Sequence, residues 1–164
     1  MAEGKPVKDS VSEYAELALP NDVNKLGNIF GGKVMHLVDL AGAMAAIRHA
    51  RLPVVTASVD SLQFLHPVHS GELVLLRSSV NRAFRTSMEV GVKVWTENYI
   101  EDARRHVASA HLTFVAVDRQ GNKLPVVPVI PETPEEVRRY ENAGRRRDLR
   151  FAESERRRKI SSAL

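Results

Sequence analysis

From Gly32 to Ile47 the chain reads GKVMHLVDLAGAMAAI, a helix-length run whose polar side chains are Lys33 and His36 near its start and one carboxylate, Asp39, in its middle. A helix that is apolar on nearly every face has no stable place on a protein surface and must be wrapped by the rest of the fold. Asp39 is therefore expected deep inside. Burying an ionised carboxylate without a partner is costly or raises its pKa, so such a residue tends to be functional or firmly paired. Both readings stand at this point, since a buried Asp also serves to cap a loop or to meet an Arg.

The rest of the chain limits what can do the wrapping. Its 164 residues make one domain of ordinary size, able to bury a core without a metal or disulfide. It contains no cysteine, which removes disulfide scaffolds, thiol nucleophiles, iron–sulfur clusters and Cys-based zinc sites, and fits a cytoplasmic protein. The opening MAEGKPVKDSVSEYAE has no apolar centre that would serve as a signal peptide. No run reaches the ~20 apolar residues of a membrane span, so neither membrane nor secretion is expected.

The net charge of +4 lies mostly in the tail, where residues 132–164 carry ten Lys/Arg against seven Asp/Glu. Arg145 to Arg147 and Arg156 to Lys159 are interleaved with Asp148, Glu153 and Glu155, the pattern of a solvated helix or frayed end. The other reading is an anionic partner, a nucleotide phosphate before nucleic acid. Tyr140 and Phe151 alone offer stacking surfaces there and no nucleic-acid motif accompanies them, so a nucleic-acid partner is not expected.

After Pro53 the texture turns β-branched. VVTASVDSLQFL, ELVLLRSSVNRAF, TSMEVGVKVWTEN and RHVASAHLTFVAVD read as four strands, with VSEYAELAL at residues 11–19 as an outer strand before the helix. The separators His69-Ser70-Gly71, Phe84-Arg85 and Asn98 to Asp102 are short, which implies that successive strands are antiparallel neighbours. Met88, Val90, Val92 and Val94 alternate with Glu89, Gly91, Lys93 and Trp95, giving an inner and an outer face. The fold class is α+β, a curved antiparallel sheet wrapped around the helix, whose open edge seeks a partner subunit. Asp118 to Asn122 reads as a turn, LPVVPVIP as an extended segment, and Thr133-Pro134-Glu135-Glu136 as a helix start. We divide the chain into residues 1–131 and a basic helical tail, 132–164.

Three segments carry a family resemblance in order and spacing: NxxGNIFGGxxMxxVDxAGAxAAxRH, then VVTASVDSLQFLHPVHSGE, then RTSMEVGVKVW. Together they resemble the acyl-CoA thioesterases of the hotdog fold, in the group of bacterial and cytosolic acyl-CoA hydrolases, over roughly residues 10–130. The resemblance implies hydrolysis of acyl-CoA to a free fatty acid and CoA. It implies that Asp39 is general base or nucleophile and that Asn28, from the opposite subunit of a dimer, orients the thioester or the attacking water. It further implies a dimer pairing two sheets edge to edge, commonly as a trimer of dimers.

Local chemistry is consistent with these roles. A thioester needs a positioned base and a donor for the developing oxyanion more than it needs a metal, so no metal and no cofactor are expected, CoA being a component of substrate and product. Gly31 and Gly32, at the helix N-terminus, offer unpaired N–H groups and the positive end of the dipole; by themselves they also read as a tight turn. Asp39 follows Gly32 by seven residues, two turns along one face, so base and donors are expected to converge on one channel. For CoA, Arg85, Thr86 and Ser87 resemble the family segment near the phosphates and pantetheine, with suitable chemistry. Val59 and Ser61 are candidates for main-chain pairing with the pantetheine amides.

Other readings frame the test. His36 and Asp39, three residues apart, mimic an acid–base pair, but the Gly-Asn-Ile-Phe-Gly-Gly ahead of the helix is unlike the His-bearing Pro-Gly-x-Pro loop of hotdog dehydratases, and the histidines show no metal-ligand spacing. A non-catalytic acyl-CoA sensor would keep the CoA contacts and lose the base. Chain-length preference is not legible, and Met35, Met44 and Phe64 are each read as core before acyl contact.

Overall fold

The computed structural model describes residues 3–161. Helix α1, Gly31–Ala50, carries the apolar run and ends where Arg51 enters the left-handed region (φ 56°) and donates its N–H to the Ile47 carbonyl at 2.8 Å. Its buried face is Val34, Leu37, Val38, Ala41, Gly42, Ala45, Ala46 and His49. The approach to the sheet is close at Gly42, where a Cβ would lie 2.9 Å from the Phe114 ring.

The wrapping sheet is β2 (Ser12–Leu17), β3 (Val54–Phe64), β4 (Leu73–Ala83), β5 (Ser87–Asn98) and β6 (Ala103–Ala116), in the order β2-β4-β5-β6-β3 with every pairing antiparallel. Alternation sorts the faces. Val74, Leu76, Val80, Met88, Val90, Val92, Val94, Ala108, Ala110, Leu112 and Phe114 are buried in one core cluster with the helix. Ser78, buried on the same strand as Leu76 and Val80, donates its hydroxyl to the Ala41 carbonyl at 2.6 Å. A short β1 (Lys5–Pro6) runs parallel to β7 (Val129–Ile130), tying the chain start to the proline-rich segment.

One expected neighbour relation is overturned. β3 and β4 are not paired: β3 lies on one edge beside β6, and β4 lies between β2 and β5. The connection between them does not turn back as a hairpin. It passes beneath the start of α1, where Val68 is buried and its carbonyl accepts the Ile29 N–H at 2.8 Å. Pro67, lacking an N–H, suits a crossing segment better than a hairpin.

Helix α2, Pro134–Ser161, opens with reciprocal caps: Thr133 Oγ1 accepts the Glu136 N–H at 3.2 Å, and Glu136 Oε2 accepts the Thr133 N–H at 3.1 Å. It is more than a solvated tail. Arg146 forks onto Glu89 of β5 (2.6 and 3.0 Å) and Arg150 reaches Asp60 of β3 (2.6 Å), so α2 is pinned to the outer face of the sheet. No helix among the described residues is long and apolar enough to cross a membrane.

Candidate active site

Asp39 sits two turns into α1, on the face that the sheet leaves open. That face carries Met35, His36, Leu40 and Ile47, all exposed, and Asp39 itself is half-buried, which corrects the expectation of deep burial. The sheet of one chain wraps the helix on one side only. Across the seam, Thr56 of β3 donates its hydroxyl to Asp39 Oδ1 at 2.6 Å. This bond fixes the carboxylate and leaves Oδ2 free to act. Thr56 is the residue that sequence reasoning misses, since nothing near it announces the contact and only the fold brings residues 39 and 56 together.

Asn28 belongs to a different neighbourhood. The loop before α1 is folded on Asn24, whose Oδ1 accepts the N–H groups of Leu26 (2.9 Å) and Asn28 (3.3 Å), with Gly27 at φ 79° making the left-handed turn. Asn28 then lines a pocket of about 370 Å³ together with Gly31, Phe64, His66 and Val68. Its Oδ1 is buried and has no hydrogen-bond partner among the described residues. Lining a pocket, it is an acceptor that a ligand or a water can satisfy.

The helix start supports the same pocket. Phe30 caps α1 without a side-chain hydrogen bond, so the N–H groups of Gly31 and Gly32 point out of the first turn unpaired among the described residues. Nothing lies where a Cβ on Gly32 would sit, and on Gly31 it would only graze Phe64 at 3.6 Å. Convergence with Asp39 of the same chain is ruled out, because seven residues of helix rise roughly 10 Å. Asn28 and Gly31 come together; Asp39 with Thr56 forms a second group.

The remaining candidates divide. Arg85, Thr86 and Ser87 form the β4–β5 hairpin, held by backbone bonds from Val126 N–H to the Arg85 carbonyl (3.0 Å), Ala116 N–H to that of Thr86 (3.0 Å) and Phe84 N–H to that of Ser87 (2.8 Å). The Arg85 side chain is exposed. Val59 is half-exposed on β3, an edge strand, and Ser61 shares a 3.0 Å hydrogen bond with His111 Nδ1. Met35, Met44 and Phe64 are outside the buried core, and Phe64 lines the pocket, so the core reading of these three is corrected. No cluster of three metal-ligating side chains occurs among the described residues.

Burial sets the titration of the outer face. Burial alone would raise Asp60, but Arg150, Thr113 and Ser58 hold it below the usual carboxylate value. His111 is lowered by burial and by the Arg146 guanidinium.

A five-stranded antiparallel sheet around one long helix, with a carboxylate at mid-helix and free amides at its start, is the architecture of the hotdog class. The chain belongs to the Thioesterase superfamily, whose profile matches residues 26–103, and within it to the acyl-CoA thioester hydrolases. The uncharacterized acyl-CoA thioester hydrolase YkhA of Bacillus subtilis is 39% identical over 143 residues, covering 87% of this chain and 83% of its own. A solved apo-hexameric acyl-CoA thioesterase is 40% identical, with a TM-score of 0.90 over 93% of this chain and 98% of the other. The acyl-CoA hydrolase of Staphylococcus aureus, solved with butyryl coenzyme A and coenzyme A, is 31% identical, with a TM-score of 0.89 over 99% of each chain. Other relatives are longer: the chain spans 25% of mouse acyl-coenzyme A thioesterase 11.

Proposed function

We propose that the protein hydrolyses acyl-CoA thioesters to a free fatty acid and CoA, at a site shared by two copies of the chain. The observation that carries this reading is the division of the machinery: Asp39 with Thr56 on an uncovered helix face, and Asn28 with Gly31 around a pocket too far along the helix to serve it. Pairing two β3 edges lays one protomer's helix face against the other's pocket. The uncovered edge carries Val55, Val59 and Phe64, each close to half-exposed, an apolar margin suited to such a contact.

In the shared site, Asp39 acts as general base toward water or as nucleophile on the thioester carbonyl, with Thr56 holding its carboxylate. The Gly31 and Gly32 N–H groups of the partner donate to the carbonyl oxygen as charge develops on it, aided by the helix dipole. Asn28 of the partner orients the thioester or the water. The thiolate of CoA is a good leaving group, so no further Lewis acid is required by the bond being broken.

The solved structures of the Staphylococcus hydrolase include variants in which an aspartate, a threonine and an asparagine are each replaced by alanine. That aspartate and threonine are seventeen residues apart, the separation of Asp39 and Thr56 here, whereas the asparagine precedes the aspartate by fifteen, the separation of Asn24, which also lines the pocket, and not of Asn28, which precedes Asp39 by eleven. Hexameric relatives support a trimer of edge-to-edge dimers for this chain. Arg85, Thr86 and Ser87 would then meet the CoA phosphates, with Val59 and Ser61 along the pantetheine.

The test is complementation. Asp39→Ala and Asn28→Ala are purified singly and each assayed for thiol release across acyl-CoA esters from acetyl to palmitoyl. We expect each to lose about 10²-fold or more in turnover. Co-refolded as a mixture, they regain activity, because one of the two sites of a mixed dimer then carries both wild-type residues. A mixture no more active than its components overturns the shared site. A wild type that binds acyl-CoA and cleaves none of the panel leaves the sensor reading in its place.

A further inference from the structure

The face of α2 that meets the β4–β5 hairpin is built from alternating guanidinium groups and rings. Arg82 lies over Tyr140 (4.3 Å to the ring centroid) and over Phe84 (5.4 Å). Arg147 lies between Phe84 (4.5 Å) and Phe151 (4.7 Å). Close packing is built in at Gly144, where a Cβ would stand 2.4 Å from Arg82 Nη1. The array flanks Arg85 on the same hairpin.

Helix docking does not account for all of this charge. Arg146 and Arg150, which pin α2, spend their donors on Glu89 and Asp60. Arg82, Arg85 and Arg147 make no ion pair among the described residues, and Arg147 is half-buried. An apolar side chain would fill the space between Phe84 and Phe151 without any cost of desolvating charge. The stacking occupies the faces of the Arg147 guanidinium and leaves its N–H edges, which can grip an oxyanion two bonds at a time.

The sheet register places this array relative to the chemistry. Thr56, the partner of Asp39, is opposite Phe114, which is opposite Met88, the residue after Ser87. Two strand spacings, roughly 10 Å, therefore separate the Asp39–Thr56 seam from the base of the hairpin. The array itself lies with α2 on the outer face of the sheet, so a pantetheine arm held at Asp39 reaches it around the hairpin end and not across the buried Phe114 and Met88.

We infer that α2 contributes to the CoA site: Arg147, clasped by Phe84 and Phe151, binds a phosphate of the nucleotide end together with Arg85, and the exposed ring and guanidinium faces receive the adenine. This rests on the acyl-CoA reading above and adds a recognition role for the C-terminal helix. It also gives the basic tail a reason to carry unpaired charge at this one position.

The test uses the full-length protein and compares wild type with Arg147→Met, which keeps the stem and removes the charge. Substrates are one acyl group carried on CoA, on dephospho-CoA and on pantetheine. We expect KM for the CoA ester to rise about tenfold in the variant with kcat nearly unchanged, and the pantetheine ester to be unaffected. Loss of the penalty with dephospho-CoA assigns the contact to the 3′-phosphate, and persistence assigns it to the diphosphate; both uphold the site. Phe151→Leu, which loosens the clasp and keeps the charge, should raise KM about threefold, and guards against a variant that merely fails to fold. Calorimetric binding of adenosine 3′,5′-bisphosphate needs no turnover: about tenfold weaker binding to the variant upholds the inference even if no thioester is cleaved. Equal effects on all three esters, or none on any, overturn it.

Discussion

Arg146 of α2 closes a two-pronged contact on Glu89 of β5, Nη2 to Oε1 at 2.6 Å and Nε to Oε2 at 3.0 Å, while Asn81 donates to the same carboxylate at 3.1 Å. Glu89 is 2% exposed, so this pair works in a nearly dry setting. Arg146→Met strands the carboxylate and is expected to cost about 3 kcal/mol in chemical denaturation. The double variant Glu89→Leu with Arg146→Met should recover most of that loss. A single variant as stable as wild type would show that the pair contributes nothing.

Thr56→Val removes the hydroxyl that holds Asp39 and keeps the strand's branched shape. Turnover of acyl-CoA should fall about tenfold, with the thermal midpoint nearly unchanged. Undiminished kcat would mean that the carboxylate is positioned by something else.

Acid should loosen the join between α1 and the proline-rich segment. His49 is fully buried, Nε2 donates to the Val127 carbonyl at 2.8 Å, and Nδ1 is buried without a partner among the described residues. Burial pushes its pKa below the ordinary 6.5, and the nearby Lys5 ammonium pushes the same way. The unfolded chain therefore takes up a proton first as pH falls through about 6.5, and stability is lost from there downward. His111 is lowered too and adds to the slope. Unfolding midpoints measured from pH 8 to pH 5 should fall for wild type and fall less steeply for His49→Gln; parallel profiles would assign the acid sensitivity elsewhere.

Gly42→Ala sets two effects against each other. Helix propensity favours alanine by about 1 kcal/mol. The new Cβ, however, meets the rigidly buried Phe114 ring at 2.9 Å. We expect the clash to win and the variant to lose about 2 kcal/mol. A stabilised variant would mean that the helix can lift off the sheet at no cost.

Much of the fold was legible because alternation and helix period are local. The strands from Val54 to Ala116 and the Thr133–Glu136 cap lie where the pattern put them. The β3–β4 adjacency was misread because a short separator containing Pro67 looks like a hairpin, and strand order is a property of the whole sheet. Asp39 was identified but placed too deep. Periodicity shows that α1 is apolar all round without telling which of its faces a single chain covers. Thr56 and the role of Arg146 were invisible for a common reason: each depends on a contact between residues far apart in sequence, 17 and 57 positions.

The β3–β6 pairing bears on how the protein is made. Val54 meets Ala116 and Phe64 meets Ala108, so β3 leaves the ribosome long before the strand that covers it. During that interval β4 and β5 are made and can cover α1, but nothing holds β3. The β3 edge must therefore join the sheet last, when β6 is in place to hold it. Until then the nascent chain is a client for holding chaperones, and truncations before Ala103 should be insoluble instead of partly folded.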